Sequence, residues 1–283
     1  MRARPSLVRR LARHRLGVVG GVVFATAAAL ALAAPLIAPY DPIIGNIGIA
    51  GRAPSSAHWL GTDELGRDIL SRLLFGARVS LSVGILTIGV AAGIGVPLGA
   101  LSGYAGGWLD VLIQRAIEAV QAFPRILLAL LIGALIGPSI EWTVAILGFL
   151  SVPVYTRLVR ANILLVKQLT FVEAARSVGC DPFRVVTRHV LPNALSPVIV
   201  QSSLQFAFSV LLLAGLGFLG LGAQPPTPEW GAMLASGRAY MRSSPHMVIF
   251  PGIAISILVL SLNLIGDAVR DALDPRGFTG REA

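Results

Sequence analysis

The sequence predicts an all-α integral membrane protein with six transmembrane helices. Of its 283 residues, 55% are hydrophobic and only 13% are charged, and the mean hydropathy is +0.77. A soluble domain carries about 25% charged residues, and one water-soluble core could not hide this much apolar surface. A span needs about 20 mostly apolar residues. Six stretches qualify, at roughly 17–38, 79–103, 111–133, 143–156 with its flanks, 194–221 and 248–266.

The basic residues predict the orientation of these spans. The net charge is +9, from 23 Lys and Arg against 14 Asp and Glu. With the N-terminus in the cytoplasm, the inner segments hold 15 basic residues, and the outer segments, of nearly equal total length, hold 6. Cytoplasmic loops carry such an excess, so both termini are expected in the cytoplasm. The inner segments are 1–16, 104–110, 157–192 and 267–283, and the outer ones are 39–78, 134–142 and 222–247.

The second span is rich in small residues. Gly89 and Gly93 are four residues apart, and so are Gly95, Gly99 and Gly103. Such spacing lets helices approach closely in lipid. We therefore expect this span to be buried in protein, either by ordinary helix packing or as a tightly packed helix of a moving bundle.

The sequence carries no recognisable catalytic or metal site. The four histidines are far apart, Cys180 is the single cysteine, and there is no HExxH or CxxC motif. A Walker A loop needs a lysine between a glycine and a Ser or Thr, but Lys167, the single lysine, stands between Val166 and Gln168. We expect this chain to catalyse no reaction and to hold no cofactor. Any energy-dependent function must therefore take its energy from a partner protein or an ion gradient.

An ion-coupled secondary transporter is one alternative function. Such carriers usually keep ionisable residues inside their spans. Here few are available, namely Arg115, Glu118 and Arg125 in or near the third span and Asp267 at the end of the sixth. So few ionisable residues argue against a proton or sodium relay. A second alternative is a membrane anchor that recruits cytoplasmic partners without transporting anything.

The long inner loop opens with a predicted short helix. Thr170 and Glu173 have the spacing of a capping box, in which each side chain caps the backbone of the other residue. Gly179 suits the left-handed position that ends a helix. These residues predict a helix that begins at Thr170 and turns sharply at Gly179.

A second short helix is predicted directly after Gly179. Asp181 is a good N-cap, and Pro182 suits the first helical position. Pro192 is expected to close the helix, because the residue before a proline disfavours the α region. Apolar residues recur at helical spacing, and a partner groove would bury them; the alternative is an amphipathic loop lying on anionic lipid. These residues are Phe183, Val186 and Val190, with Arg184 and Arg188 as the basic ones.

Three separated elements of this loop resemble the EAA loop of ABC importer permeases, of pattern EAA-x3-G-x9-I-x-LP. They are Glu173-Ala174-Ala175, Gly179 and Leu191-Pro192, while His189 departs from the isoleucine of the pattern. The string RHVLPN is similar to the peptide-permease branch. The resemblance implies that the loop, 170–192, docks on a cytoplasmic ATPase subunit. The coupling residues would be Glu173, Ala174, Ala175, Gly179, Asp181, Phe183, Arg184, His189, Leu191 and Pro192.

Further segments resemble the C-type permease subunits of dipeptide, oligopeptide and nickel importers. They are 58–81, 215–234 and 266–276. The family usually has a serine where this chain has Gly217, and a glutamate just upstream, where Leu213 or a neighbour stands here. This departure puts a pathway role for an acid there in doubt and suggests a more apolar outer gate. The resemblance divides the chain into a basic arm (1–16), a first helix (17–38), an extracytoplasmic segment (39–78), a five-helix core (79–266) and a cytoplasmic tail (267–283).

The resemblance also implies partners and a substrate. The fold would be a type I ABC importer transmembrane domain that forms half of a translocation pathway. Its partners would be a second homologous permease subunit, two ATP-binding subunits or domains that bind the ATP and Mg²⁺, an extracytoplasmic solute-binding protein and membrane lipid, with no nucleic acid. Peptides are the expected substrate, and nickel complexes or haem remain open for the same subunit type.

Two outer segments are candidates for an extracytoplasmic gate or scaffold. Asp63, Glu64, Arg67 and Asp68 could form a local ion-pair cluster, with an amphipathic interfacial helix over residues 69–74 behind it. The stretch QPPTPEW cannot be a regular helix, and an interfacial helix is expected near 230–240. The alternative for both is a folded loop whose polar groups pair with one another and that has no role in gating. The candidate residues are Gly61, Asp63, Gly66, Arg67, Asp68, Pro225, Pro226 and Trp230.

Polar side chains in the last two spans are candidates for lining a translocation path. Gln201, Gln205 and Ser209 are four apart and share one helix face, and Asn263 lies in the sixth span. Polar groups in hydrocarbon face protein or water. The alternative is that they form hydrogen bonds between helices.

Overall fold

The computed structural model describes residues 14–273, and the regular elements within them are all helices. Most of the predicted basic arm and the end of the predicted tail lie outside the described residues. The helices are α1 (Arg15–Ile37), α2 (Ile69–Ala105), α3 (Gly107–Gln121), α4 (Arg125–Ile136), α5 (Ile140–Val166), α6 (Thr170–Ser177), α7 (Pro182–Arg184), α8 (Leu191–Ala194), α9 (Ser196–Phe218), α10 (Trp230–Gly237) and α11 (His246–Leu273). Short 3₁₀ turns lie at Ile47–Ile49 and Arg238–Tyr240, and a π-helical turn lies at Val185–Val190.

Five of the described helices are each long and apolar enough to cross a membrane. These are α1, α2, α5, α9 and α11, and α3 and α4, which are bent by 82° at their break, meet the same criterion only when they are taken together. The predicted all-α membrane fold is confirmed, but the continuous third span over 111–133 is wrong. The chain breaks at 122–124 because Pro124 has no N–H to donate and disfavours the helical conformation of Phe123 before it.

The fourth span is longer than the sequence predicted. The predicted stretch was 143–156 with its flanks, whereas α5 runs from Ile140 through Pro153 to Val166. Pro153 is itself buried among neighbouring helices, and membrane helices tolerate an internal proline when their surroundings satisfy the freed backbone groups. The consequence is that α5 reaches the loop 170–192 directly.

The helix α2 has 37 residues and is the longest in the described chain. At 1.5 Å per residue it extends over about 55 Å, well beyond a hydrocarbon core of about 30 Å. Its first turns include residues 69–74, so the predicted interfacial helix is not a separate element. Asp68 caps α2 by accepting from the Ser71 backbone N–H at 2.8 Å. The outer segment therefore joins a membrane helix without a break.

The glycines of α2 face two different surroundings. A Cβ at Gly99 would lie 2.5 Å from the Thr156 carbonyl oxygen of α5, and one at Gly95 would lie 2.6 Å from Tyr155 Cβ. No atom lies within 4 Å of a Cβ at Gly89 or Gly93. The sequence therefore predicted the close packing correctly for one stripe, while the other stripe is open in this chain.

These two stripes give a matched pair of variants. Gly99→Ala is expected to lower the unfolding temperature of the purified chain in detergent, because its methyl group would push α2 away from α5. Gly93→Ala is expected to leave that temperature unchanged or slightly raised, because alanine is the better helix former by up to about 1 kcal/mol. Equal unfolding temperatures for the two variants would contradict the assigned packing.

The first helix is held mainly by the last one. A Cβ at Gly20 of α1 would lie 2.7 Å from the Ser261 carbonyl oxygen of α11, so the two backbones are in close contact. At the end of this pair, His14 Nε2 lies 3.2 Å from Asp271 Oδ2, and His14 Nδ1 accepts from the Gly17 backbone N–H. The N-terminal span is thereby fixed to the outside of the bundle by α11.

Candidate functional site

The loop 170–192, called the EAA loop below, begins with α6 and turns at Gly179 as predicted. Gly179 has a φ of +78°, its N–H bonds to the Arg176 carbonyl, and the Cys180 N–H bonds to the Ala175 carbonyl. These two bonds form a Schellman motif, which requires the left-handed residue that glycine supplies. The direction of the chain after α6 is therefore set by Gly179.

The predicted capping box at Thr170 is wrong. The N-cap of α6 is Leu169, and no side chain caps this helix end. Thr170 already has helical geometry, so its hydroxyl is not placed to accept from the Glu173 N–H, which bonds instead to the Leu169 carbonyl. Glu173 is thus exposed and has no capping role in the described structure. Its carboxylate is free to meet another molecule.

The second helix of the EAA loop begins as predicted but ends later. Asp181 accepts from the backbone N–H groups of Phe183 and Arg184, at 2.9 and 3.3 Å. The predicted stop at Pro192 is wrong, because α7 continues through the π-helical turn into α8. Pro192 lies in the first turn of α8, where its missing N–H is not needed.

The π-helical turn changes which apolar side chains face outward. Its hydrogen bonds run from residue i to i+5, and Val185 and Val190 are both fully buried against α5 and α2. The prediction that Val190 meets a partner is therefore wrong, and Val186 is only half-buried. Phe183 remains 76% exposed. Ordinary helical spacing had been assumed, and the π turn shifts the buried face.

Most of the predicted coupling residues are exposed on the EAA loop. Ala175 packs inward, and His189 and Leu191 are half-buried. The others are exposed: Glu173, Ala174, Gly179, Asp181, Phe183, Arg184 and Pro192. Exposed apolar groups beside them, such as Val178 at 79%, extend the same surface. An apolar and charged patch of this kind is suited to docking another protein.

One contact attaches the EAA loop to α2, two more join the neighbouring spans α2, α3 and α5 near the loop, and the sequence reasoning missed all three. The Arg176 guanidinium lies 5.5 Å from the Tyr104 ring centroid at the end of α2. Lys167 Nζ donates to the Gly103 carbonyl at 2.9 Å. Asp110 of α3 and Arg160 of α5 form the third, described below. The partners are up to 72 residues apart in sequence, so only their charge near the span ends could have indicated them.

At the other end of the bundle, the outer segment contains a buried ion-pair cluster. Asp63 Oδ2 lies 2.6 Å from Arg67 Nε and 3.3 Å from Arg72 Nε, and Arg67 Nη2 donates to Glu64 at 3.0 Å. Asp68 was predicted to belong to it, but it pairs with His58 at 3.0 Å and caps α2 instead. These residues pair mainly with one another, which favours a folded loop with internal ion pairs, although Glu64 Oε2 and Arg72 Nε are buried without a hydrogen-bond partner.

The two outer segments are joined to each other through α2. Arg72 Nη1 donates to the Pro42 carbonyl at 2.8 Å and reaches the Pro226 carbonyl at 3.5 Å. Trp230, the first residue of α10, donates from Nε1 to the Leu73 carbonyl at 3.1 Å. Pro225 and Pro226 are exposed, and Trp230 is buried.

The two glycines predicted as scaffold residues of the first outer segment lie in tight turns. Gly61 and Gly66 have φ values of +80° and +72°, and both are buried.

A buried carboxylate lies beside Gly217, where the sequence suggested a more apolar gate. Glu229 is fully buried and caps α10 by accepting from the N–H groups of Gly231 and Ala232, each at 2.8 Å. A Cβ at residue 217 would overlap Glu229 Oε2. The surroundings of Gly217 are therefore not purely apolar. Burial raises the pKa of Glu229 to about 7, although its two backbone donors favour the charged form.

This raised pKa predicts that stability depends on pH. The folded chain holds the Glu229 proton more tightly than the unfolded chain, whose pKa is near 4.5. Its contribution is therefore fully present below about pH 4.5 and is lost as the pH rises through about 7, by at most about 3 kcal/mol. The unfolding temperature of the purified chain should fall over this range. Glu229→Gln should lack this component, and a slope unchanged by the substitution would refute the assignment.

Two candidate pathway residues of α9 are buried and hydrogen-bonded in this conformation. Gln205 is buried and donates to Ser151 Oγ of α5 at 2.8 Å, and buried Ser209 donates to the Gln205 carbonyl at 2.8 Å. For Gln205 the structure supports the alternative of a hydrogen bond between helices, whereas the Ser209 bond lies within α9. Gln201 is half-buried and Asn263 is exposed, and their pathway role stays a prediction.

Comparison with known proteins identifies the family. Residues 95–278 match the model described as the binding-protein-dependent transport system inner membrane component. The chain belongs to this family. Residues 6–54 match a second model, the N-terminal transmembrane domain of oligopeptide transport permease C. The chain is therefore an inner-membrane permease subunit of an ABC importer, as the resemblance of its motifs implied.

Curated relatives cover nearly the whole permease chain. It is 45% identical to the glutathione transport system permease protein GsiD of Pectobacterium atrosepticum, over 95% of this chain and 89% of the relative. It is 42% identical to the dipeptide transport system permease protein DppC of Alkalihalophilus pseudofirmus, over 95% of this chain and 88% of the relative. The permease also resembles a solved chain of the inward-facing MetNI methionine ABC transporter, with a TM-score of 0.60, 20% identity, and coverage of 73% of this chain and 98% of that chain. At that identity the likeness shows the fold alone.

Proposed function

We propose that this permease forms half of the translocation pathway of an ATP-driven importer for small peptides, and that it is driven by ATPase subunits docked on its EAA loop. The observation that carries the proposal is the exposed surface of Glu173, Gly179 and Phe183 on a loop fixed to α2 and α5. A movement of that loop would be passed to two spans at once. The names of the glutathione and dipeptide relatives favour peptides as the substrate.

The remaining partners follow from the same proposal. A second, homologous permease chain would complete the pathway, and two ATP-binding subunits or domains would bind the ATP and Mg²⁺. A solute-binding protein would deliver the peptide to the outer segments. With 15 of 23 basic residues on the EAA-loop side of the predicted topology, both termini would lie in the cytoplasm. The permease itself would catalyse no reaction and hold no cofactor.

Reconstitution of the whole importer tests this proposal. Proteoliposomes would contain this chain, its companion permease and the ATPase subunits, with the binding protein added outside and labelled glutathione or dialanine as the probe. We expect uptake that needs both internal ATP and the binding protein. Uptake driven by a proton or sodium gradient without ATP would contradict the proposal and favour a secondary transporter. Uptake of a nickel complex or haem and of neither peptide would contradict the peptide assignment.

A further inference from the structure

A cavity of about 450 Å³ lies between α3 and α5, and its lining is strongly charged. The α3 residues that line it are spaced about four apart and therefore share one helix face. Both helices belong to candidate membrane spans, where ionisable side chains are rare and mark water-filled routes. The polar lining residues are Asp110, Gln114, Arg115, Glu118, Arg157 and Arg160.

Both carboxylates of this cavity are already neutralised. Asp110 accepts from Nε and Nη2 of Arg160, each at 2.6 Å, and Glu118 accepts from Arg115 at 2.8 Å. The Arg157 side chain has no hydrogen bond, ion pair or ring contact with any residue that the structure describes. Three guanidinium groups therefore face two carboxylates, and the excess positive charge is that of Arg157.

Arg157 begins the predicted inner segment 157–192 and lies on the half of α5 that leads to the EAA loop. It stands nine residues before the end of α5, or about 13 Å along the helix axis. A guanidinium that lines a cavity without a carboxylate partner is available to form charged hydrogen bonds with an anion. Arg157 is exposed to the cavity side of the chain rather than packed. An anion that enters from this cavity would supply the missing partner.

We propose that this inner cavity binds the free C-terminal carboxylate of the transported peptide and that Arg157 is its ligand. The inference rests on the proposed function and adds a specificity-determining residue to it. The planar guanidinium matches a carboxylate with two parallel hydrogen bonds. The cavity volume lies within the range of small-molecule sites, about 300–1,000 Å³. A peptide passing the EAA-loop side of the bundle would thus be held by its charged end.

The test compares uptake of dialanine and dialanine amide by the reconstituted importer. Arg157→Gln is expected to lower dialanine uptake about tenfold, the loss of one charged hydrogen-bonded contact, and to leave amide uptake within about twofold. The same binding protein serves wild type and variant, so its own selectivity cancels in their ratio. Arg157→Lys should restore much of the dialanine uptake. Arg242→Gln, which removes an equal charge from an exposed outer position, should change neither uptake.

Three results would overturn the inference. Arg157→Gln could transport both peptides as the wild type does, or it could lose both equally, which would indicate a structural role. The deficit could also appear only in vesicles that contain anionic phosphatidylglycerol and not in pure phosphatidylcholine, which would assign Arg157 to a lipid headgroup. Failure of the proposed function looks different, because the wild-type importer itself would then show no ATP-dependent peptide uptake.

Discussion

Replacing Gly179 with proline is expected to abolish uptake by the assembled importer while leaving the permease in the membrane. The native φ is +78°, whereas proline fixes φ near −65°. The substitution also removes the N–H that bonds to the Arg176 carbonyl. The chain would continue from the end of α6 in a different direction. The exposed residues of α6 and those that follow Gly179 would then no longer keep their native arrangement. The measurements are ATP-dependent uptake and the amount of ATPase subunit that copurifies with the permease.

A backbone-matched control lies at the other end of the bundle. Gly220 has a φ of +81°, and its N–H and that of Leu221 form the same pair of bonds to Gly217 and Leu216. Gly220→Pro should therefore cause similar local strain without reducing ATPase copurification. If Gly179→Pro retains normal uptake, or if both variants lose the ATPase equally, the EAA loop is not the docking element.

Glu173→Lys is the companion variant at the same surface. Glu173 is exposed and its carboxylate has no partner among the described residues, so its charge reversal should cost the isolated permease little stability. We expect uptake to be lost because the docking surface changes sign. Glu141→Lys reverses an exposed carboxylate at the N-terminus of α5 and is expected to preserve copurification of the ATPase.

The second large effect is expected at the buried ion-pair cluster of the outer segment. Asp63→Ala removes one of the two carboxylates paired with Arg67 and the one carboxylate paired with Arg72 among the described residues, and these arginine side chains are only 6% and 5% exposed. Uncompensated buried charges of this kind cost about 3–5 kcal/mol. The free energy of unfolding should fall by that amount, and the segment 39–68 should become sensitive to protease. Both can be measured on the purified permease in detergent.

Asp41→Ala is the matched control for this variant. Asp63 accepts from the backbone N–H groups of Leu65 at 3.0 Å and Arg67 at 2.9 Å. Asp41 likewise accepts from those of Ile43 at 2.7 Å and Ile44 at 3.1 Å, but it is exposed and lies outside the ion-pair cluster. Its loss should cost no more than about 1 kcal/mol. Equal destabilisation by the two variants would show that the ion pairs contribute nothing beyond the backbone bonds.

Local signals in the sequence predicted local structure well. The turn at Gly179 and the cap at Asp181 each depend on one residue and its immediate neighbours, and both are present in the structure. The break at Pro124 also has a local cause, but the apolar run around it was interpreted as a single span. Thr170 shows the limit of such signals, since its spacing to Glu173 suits a cap that the helix does not use.

Contacts between distant segments could not be predicted from the same patterns. No local pattern in the sequence around Asp110 indicates that Arg160, 50 residues away, is its partner. The burial of Glu229 beside Gly217 depends on how α10 packs against α9. The π-helical turn depends on the packing of Val185 and Val190 under α2 and α5, so an ordinary helical period assigned the wrong exposed face.

Site-specific crosslinking tests the docking of the EAA loop most directly. A photo-reactive amino acid at Phe183 would probe the exposed surface of the loop in the complete importer, and one at Trp59, which is 72% exposed in the outer segment, would serve as the control. We predict an adduct between the Phe183 position and an ATPase subunit, and none from the Trp59 position. An importer that remains active in uptake but yields no ATPase adduct from Phe183 would contradict the account.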